Sequence, residues 1–417
     1  MGITASTPTP VAELDTPVTS EEHDSEYKWP ANLYLEMRDM AGASFLVYTF
    51  GYINDVARKT KKVVGLQVND QTGRTQRGSV SSSFTTTALS GSFTPADVVD
   101  IVKNNQAVLA AKYDKFNDQN LPSVLRSLQV LQSRVDEYGM ERPLTLQYFD
   151  DRHQEHEMVY AVAKDDINKR VTLVFRGTHN ELTSGSNWTT NMYVSKTQVD
   201  IPSYLKDKVD AASIWWHSGF YNYIFEQTFD PNDSPDRTKI TEIIEDIKPL
   251  LEANPDYKLY VTGHSLGGAL AGLVSFYLAC DPEIPKPVTC FSFGAPRFGD
   301  SNYLEALQVL EKHEKLRFCR VVNDNDSVAA VPMWNYYHGG FQVRLYKDTS
   351  TPAEITFPKI EDANSSRWGR AWSNSLIMSL NFGYDHGAYQ KRVDMSQAYL
   401  ESEDLIDLYQ KSELTGF

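Results

Sequence analysis

The stretch Gly263-His264-Ser265-Leu266-Gly267-Gly268-Ala269 decides how this chain folds. Before it, Lys258-Leu259-Tyr260-Val261-Thr262 reads as a buried strand. After it, Leu266, Ala269, Leu270, Leu273, Val274, Tyr277 and Leu278 recur at helical spacing. A Gly-x-Ser-x-Gly run between a strand and a helix is the pattern of a nucleophile elbow. The turn is too sharp for bulky neighbours, so glycines flank the serine. Its Oγ is expected in the open at the end of the sheet. The helix that follows aims its first N–H groups and positive dipole end at developing negative charge.

Strands and helices alternate outward from this point. Residues 144–149, 157–162 and 170–175 read as strands, the last deeply buried. A helix is predicted over 238–253. Beyond the elbow come a strand at 288–293, a helix at 301–312, a strand at 316–322 and a strand at 341–346. This order predicts an α/β fold, a mostly parallel central sheet with helices on both faces. The N-terminal part has a different texture. Residues 1–30 are rich in Thr, Pro and Glu and read as disordered. A helix is predicted from Pro30 to Arg58, apolar on most sides between Ala41 and Ile53. That face is expected against a core, with a helix lying on a membrane surface as the alternative. A Ser/Thr-rich linker at 70–93 precedes helices at about 95–113 and 121–138. The expected organisation is a disordered segment 1–30, a helical region 31–140 and an α/β domain 141–400.

Bulk properties narrow the function classes. The 417 residues carry 40 Lys and Arg against 55 Asp and Glu, a net charge of −15, which disfavours nucleic acid as a partner. Cys280, Cys290 and Cys319 form no CxxC pair and no disulfide framework, so free thiols in a reducing compartment are expected. No secretory leader and no long apolar span stand out. An intracellular, cytoplasmic location is therefore expected. Met1-Gly2-Ile3-Thr4-Ala5-Ser6 fits the N-myristoylation pattern, which would give weak membrane association through Gly2. The sequence gives no oligomeric state.

A serine nucleophile needs a base, and the base needs an orienting acid. On an elbow of this kind the acid and then the base follow the serine in the chain. Strand 316–322 ends at Asn323-Asp324-Asn325-Asp326-Ser327-Val328, so Asp324 and Asp326 are the acid candidates, with Asp326 favoured. Downstream lie only His338 and His386. His338 follows Asp326 closely, and His386 is favoured as the base. The oxyanion donors should come from a turn after an earlier strand and from the residue after the nucleophile. Phe175-Arg176-Gly177-Thr178 occupies the first position, and the Leu266 N–H the second.

Val174-Phe175-Arg176-Gly177-Thr178, Asn187-Trp188, His217-Ser218-Gly219-Phe220, the elbow, Phe293-Gly294-Ala295-Pro296-Arg297 and the run from Arg320-Val321-Val322-Asn323 to Val331-Pro332 occur in one order. Together, over about residues 140–395, they resemble the class 3 (fungal-type) lipase family. The resemblance implies an α/β-hydrolase fold and carboxylic-ester hydrolysis with no metal and no organic cofactor. It implies Ser265 as nucleophile, Asp326 as acid, His386 in the late His-x-x-Tyr segment as base, and Thr178 as oxyanion residue. Residues 179–196 fall where the family carries its lid, and they are polar here. Ala329 stands where the family often has proline. His217 is expected to pack or bond locally.

The expected activity is that of a triacylglycerol lipase or phospholipase, acting on acyl lipid at a transient lipid–water interface. Two rivals use the same residues or scaffold: an acyltransferase passing the acyl group to an alcohol, and a non-catalytic lipid-binding protein.

Overall fold

A computed structural model describes residues 32–60, 62–64, 66–68, 75–77, 93–132, 139–140, 144–151, 158–178, 195–226, 237–332, 335–356 and 386–413. The expectations for residues 1–30 and Gly2, most of the 70–93 linker, and 179–194 of the lid segment lie outside these.

The elements run α1 (Leu33–Thr60), a small β1–β2 hairpin (Leu66–Val68, Thr75–Arg77), α2 (Pro95–Asn104), α3 (Gln106–Ala110), α4 (Leu121–Gln129), β3 (Thr145–Asp150), β4 (Tyr160–Asp165) and β5 (Arg170–Phe175). A second antiparallel pair, β6 (Lys196–Asp200) and β7 (Ser213–His217), leads into α5 (Ser218–Phe225) and α6 (Lys239–Ala253). Then follow β8 (Lys258–His264), α7 (Leu266–Cys280), β9 (Val288–Phe293), α8 (Ser301–Lys312), β10 (Leu316–Asn323), β11 (Phe341–Leu345), β12 (Glu354–Thr356), α9 (Tyr389–Met395), α10 (Gln397–Leu400) and α11 (Leu405–Glu413).

Among the described residues the main sheet has eight strands in the order β12-β11-β10-β9-β8-β5-β4-β3. The five strands from β11 to β5 pair in parallel; β3, β4 and β12 pair antiparallel at the two edges. Every residue of β5 and β9 is buried, as expected of strands covered on both faces. This is the α/β-hydrolase arrangement expected from the sequence. One face carries Val171, Leu173, Val261 and Cys290 against α5 to α8. The other carries Tyr260, Phe291 and Val321 against α1, α9 and α11.

Three element boundaries differ from expectation; one is the helix expected at 121–138, which ends at Gln129 and gives way to a turn at 130–132. The strand expected at 157–162 runs Tyr160–Asp165, because its ladder with β5 is set by the turn joining Asp165 to Arg170, not by where the apolar run begins. The helix expected at 95–113 breaks at Asn105. The Asn105 side chain donates to the carbonyls of Ile101 (2.8 Å) and Val64 (3.0 Å) and accepts from the Val64 N–H (2.7 Å), which diverts the chain at that residue.

α1 is buried almost all round. It lies across β5 and β8 and packs against α9. Polar ties fix it there. The Tyr260 hydroxyl donates to Glu36 at 2.6 Å, Ser44 and Thr262 share a hydrogen bond at 3.1 Å, and Arg170 donates to Asp39 at 2.7 Å. The core placement of this helix, not the membrane-surface alternative, is what the structure has. Among the described residues no helix is long and apolar enough to cross a membrane.

Candidate active site

β8 ends at His264 and α7 begins at Leu266, so Ser265 alone makes the turn. Its φ of 61° and ψ of −129° place it in a backbone region that costs a non-glycine residue about 1–3 kcal/mol. Backbone hydrogen bonds hold it. The Ser265 N–H donates to the Phe293 carbonyl on β9 at 2.9 Å, and the Ser265 carbonyl accepts from the Gly268 N–H at 2.9 Å. A Cβ on Gly267 would lie 2.3 Å from the Phe175 carbonyl oxygen, so the elbow passes too close to the end of β5 for any side chain there.

Ser265 is only 3% exposed, in contrast to the open position expected of it. The Arg176-Gly177-Thr178 turn supplies the reason. Gly177 lies directly over Ser265, and the Tyr48 hydroxyl of α1 lies against Gly177 in turn. Thr178 is exposed at the rim of the site, and Leu266 is half-buried at the start of α7. The Leu266 N–H belongs to the first turn of that helix, whose N–H groups have no partner within it.

Asp326 and His386 come together from opposite ends of the C-terminal third. Asp326 sits just past β10, in a turn where its N–H donates to the Asn323 carbonyl at 3.0 Å. Its Oδ1 accepts from the Val328 N–H at 2.9 Å, and its Oδ2 lies 2.9 Å from His386 Nδ1. The Tyr389 hydroxyl donates to the same Oδ2. Both residues are buried, Asp326 at 4% exposure and His386 at 0%. Burial pushes the Asp326 carboxyl up. The neighbouring His386 and the three hydrogen bonds outweigh it and hold the group below the usual carboxylate range. The carboxylate is therefore ionised, and His386 presents Nδ1–H to it. Gly294, at φ +58°, makes room: a Cβ there would lie 2.6 Å from Asp326 Oδ2. Arg297 secures the rest of the acid loop by donating to the carbonyls of Ala330 and Pro332.

The rival candidates lie elsewhere. Asp324 faces Arg344 at 3.6 Å. His338 Nε2 lies 2.7 Å from the Ala329 carbonyl, so it ties down the acid loop from outside. His217 is buried and stacked on Phe220 with ring centroids 4.2 Å apart, which fits the packing expected of it.

Three residues escaped the sequence reading as site components. Tyr389 was visible in principle, since a residue three positions after His386 falls on the same helical side. The sequence marks His264 only as the variable position of the elbow. Its ring lies 4.4 Å from that of His386, and its Nε2 is 2.7 Å from the His386 carbonyl. Tyr48, in α1, has no local sequence signal. Among the described residues no group of three or more His, Cys, Asp or Glu side chains is arranged to hold a metal ion.

The family model described as Lipase (class 3) matches residues 172–336, a span that holds Thr178, Ser265, Leu266 and Asp326 and stops short of His386. The triacylglycerol lipase OBL1 of Ricinus communis is 24% identical over 274 residues, covering 58% of this chain and 51% of that protein. A lipase of Rhizopus niveus is 28% identical over 209 residues, covering 49% of this chain and 46% of that protein. The chain thus spans about half the length of the curated relatives it matches. Among solved structures, the mono- and diacylglycerol lipase from Aspergillus oryzae aligns with a TM-score of 0.46 at 18% identity, covering 66% of this chain and 87% of that one. Residues 172–336, which take in the elbow, the Arg176-Gly177-Thr178 turn and the Asp326 loop, thus match the class 3 lipase family.

Proposed function

We propose that this protein hydrolyses carboxylic esters of acyl glycerolipids through an acyl-enzyme on Ser265. The observation that carries this reading is the buried Asp326–His386 pair, 2.9 Å apart, set beside an elbow that holds a serine in a strained turn. With Nδ1–H directed to Asp326, the basic nitrogen of His386 is Nε2. It takes the Oγ proton as Ser265 attacks the ester carbonyl and returns it to the departing alcohol. The N–H of Leu266, with the N–H and hydroxyl of Thr178, receives the charge on the tetrahedral oxyanion. Water then repeats the sequence and frees the fatty acid. The name of the Ricinus communis relative supports triacylglycerol as the first substrate to try. The three free thiols support a reducing, intracellular setting.

The test is product analysis of the purified protein on triacylglycerol, diacylglycerol and phospholipid, with Ser265→Ala alongside. Release of fatty acid that falls by about 10⁴-fold or more in the variant is expected. Near-wild-type release by Ser265→Ala would overturn the reading. Acyl transfer to an added alcohol, at the expense of free fatty acid, would redirect it to a transferase.

A further inference from the structure

The His264 ring fills a place that the proposed reaction does not use directly. Its Nε2 is 2.7 Å from the His386 carbonyl oxygen, and a carbonyl can only accept. Nε2 must therefore carry the proton. Burial, and then the proximity of His386, push the His264 pKa down to about 3, so the ring is neutral and its Nδ1 is an acceptor. The Tyr48 hydroxyl lies 3.3 Å from that Nδ1 and 3.4 Å from the His264 carbonyl. The Tyr48 hydroxyl also lies against Gly177 in the oxyanion turn. Tyr48 thus seats on His264 at both Nδ1 and the carbonyl, and His264 Nε2–H donates to the His386 carbonyl.

We propose that His264 is a positioning residue, the central link between Tyr48, which is seated against the oxyanion turn, and the backbone of the base His386. This rests on the reading of His386 as the base. The link runs through the residue just before Ser265, so it couples the two parts that must meet on either side of the reacting carbonyl. A backbone held by one bond at each end of a rigid ring has little freedom to drift. Misplacement of a catalytic group by about 1 Å costs on the order of 100-fold in rate. His264 is buried with both ring nitrogens engaged within the protein, so the effect belongs in kcat and not in KM.

The experiment measures kcat, KM, Tm and the rate at which a fluorophosphonate probe labels Ser265. The variants are His264→Phe, His264→Asn, His264→Gln, Tyr48→Phe and the pair Tyr48→Phe/His264→Phe. His264→Phe keeps the ring and loses both nitrogens, and a fall in kcat of about 10–100-fold at unchanged KM is expected. Gln places an N–H near the position of Nε2 and Asn does not reach it. His264→Gln should therefore recover most of the rate and His264→Asn should not, a difference that packing alone would not produce. This comparison decides the matter if the phenylalanine variant fails to fold. Tyr48→Phe should lower kcat by about 3–10-fold in the wild type and by much less in His264→Phe, since a link already cut cannot be cut again. Equal kcat for the Gln and Asn variants, or strictly additive effects of Tyr48→Phe and His264→Phe, would overturn the proposal. Failure of the underlying reading looks different: the wild type itself would then neither turn over ester nor label at Ser265.

Discussion

At the scale of single residues, the Asp326 carboxylate is the most constrained charge in the site. It receives His386, Tyr389 and the Val328 N–H, and these hold its pKa below the usual carboxylate range against the opposing effect of burial. Asp326→Asn removes the charge while keeping the shape. An amide can present N–H to Nδ1 and so favour the wrong tautomer of His386, and kcat is expected to fall by about 10⁴-fold with KM little changed. Steady-state kinetics on a soluble ester checks this. The same substitution has a pH signature. A carboxyl whose folded pKa is depressed contributes stability that is full above the ordinary carboxylate range and lost as pH falls through the depressed value. Asp326→Asn should therefore lower Tm more at pH 7 than at pH 3, in thermal melts at the two pH values. Ser265, Asp326 and His386 were legible in the sequence because each sits in a local pattern and the three follow a fixed order along the chain. The His264 links were not. Tyr48 and His386 are 216 and 122 residues away from His264, and no local periodicity reports a contact of that separation.

At the scale of elements, helices and strands are joined by buried polar ties as well as by apolar surface. Arg170 is fully buried at the start of β5 and donates through Nη2 to Asp39 of α1 at 2.7 Å and to Asp165 of β4 at 2.9 Å. Arg170→Met would leave two carboxylates close together without their cation. A loss of about 3–5 kcal/mol is expected, read as a lower urea midpoint at unchanged slope. A second tie docks α11. The Tyr409 hydroxyl donates to Glu311 of α8 at 2.6 Å, and burial pushes the Glu311 carboxyl up to about 8. A carboxyl raised in the folded state contributes stability that is full below its unfolded pKa and is lost as pH rises through the folded value. Wild-type stability from this group therefore declines between about pH 4.5 and about pH 8. Glu311→Gln mimics the neutral form at all pH values. Its Tm relative to wild type should rise from pH 5 to pH 8, by about 2 °C or more, in scanning fluorimetry at both. The elements themselves were read well where periodicity was strong, as in β5, β9, α7 and α8. The break at Asn105 was missed because its cause is a side chain reaching back to Val64, not a helix-breaking residue in the run.

At the scale of the whole molecule, the sheet has two faces and each needs a cover. Helices α5 to α8 cover one face and come from the same stretch of chain as the sheet itself. The other face depends on α1, which arrives from the N-terminal region and carries Tyr48 into the site. The sequence made this hard to see. A helix apolar on nearly all sides shows that it is buried but not which face meets which partner. Leu33, Met37 and Met40 of α1 join the cluster around Tyr260 and Phe291. Leu46, Phe50 and Ile53 join the cluster around Phe149 and Val174. Fully burying a side chain of this size contributes about 1.5–3 kcal/mol. These six together are comparable with the net stability of an ordinary domain, about 5–15 kcal/mol. The Glu36, Asp39 and Ser44 ties to Tyr260, Arg170 and Thr262 would be lost with them. A chain starting at residue 141 holds Ser265, Asp326 and His386 intact, yet it is expected to show no cooperative melt and no fluorophosphonate labelling. Restoring residues 31–140 should restore both. A folded and labelled protein from residue 141 onward would mean that α1 is an accessory to the sheet and not half of its core.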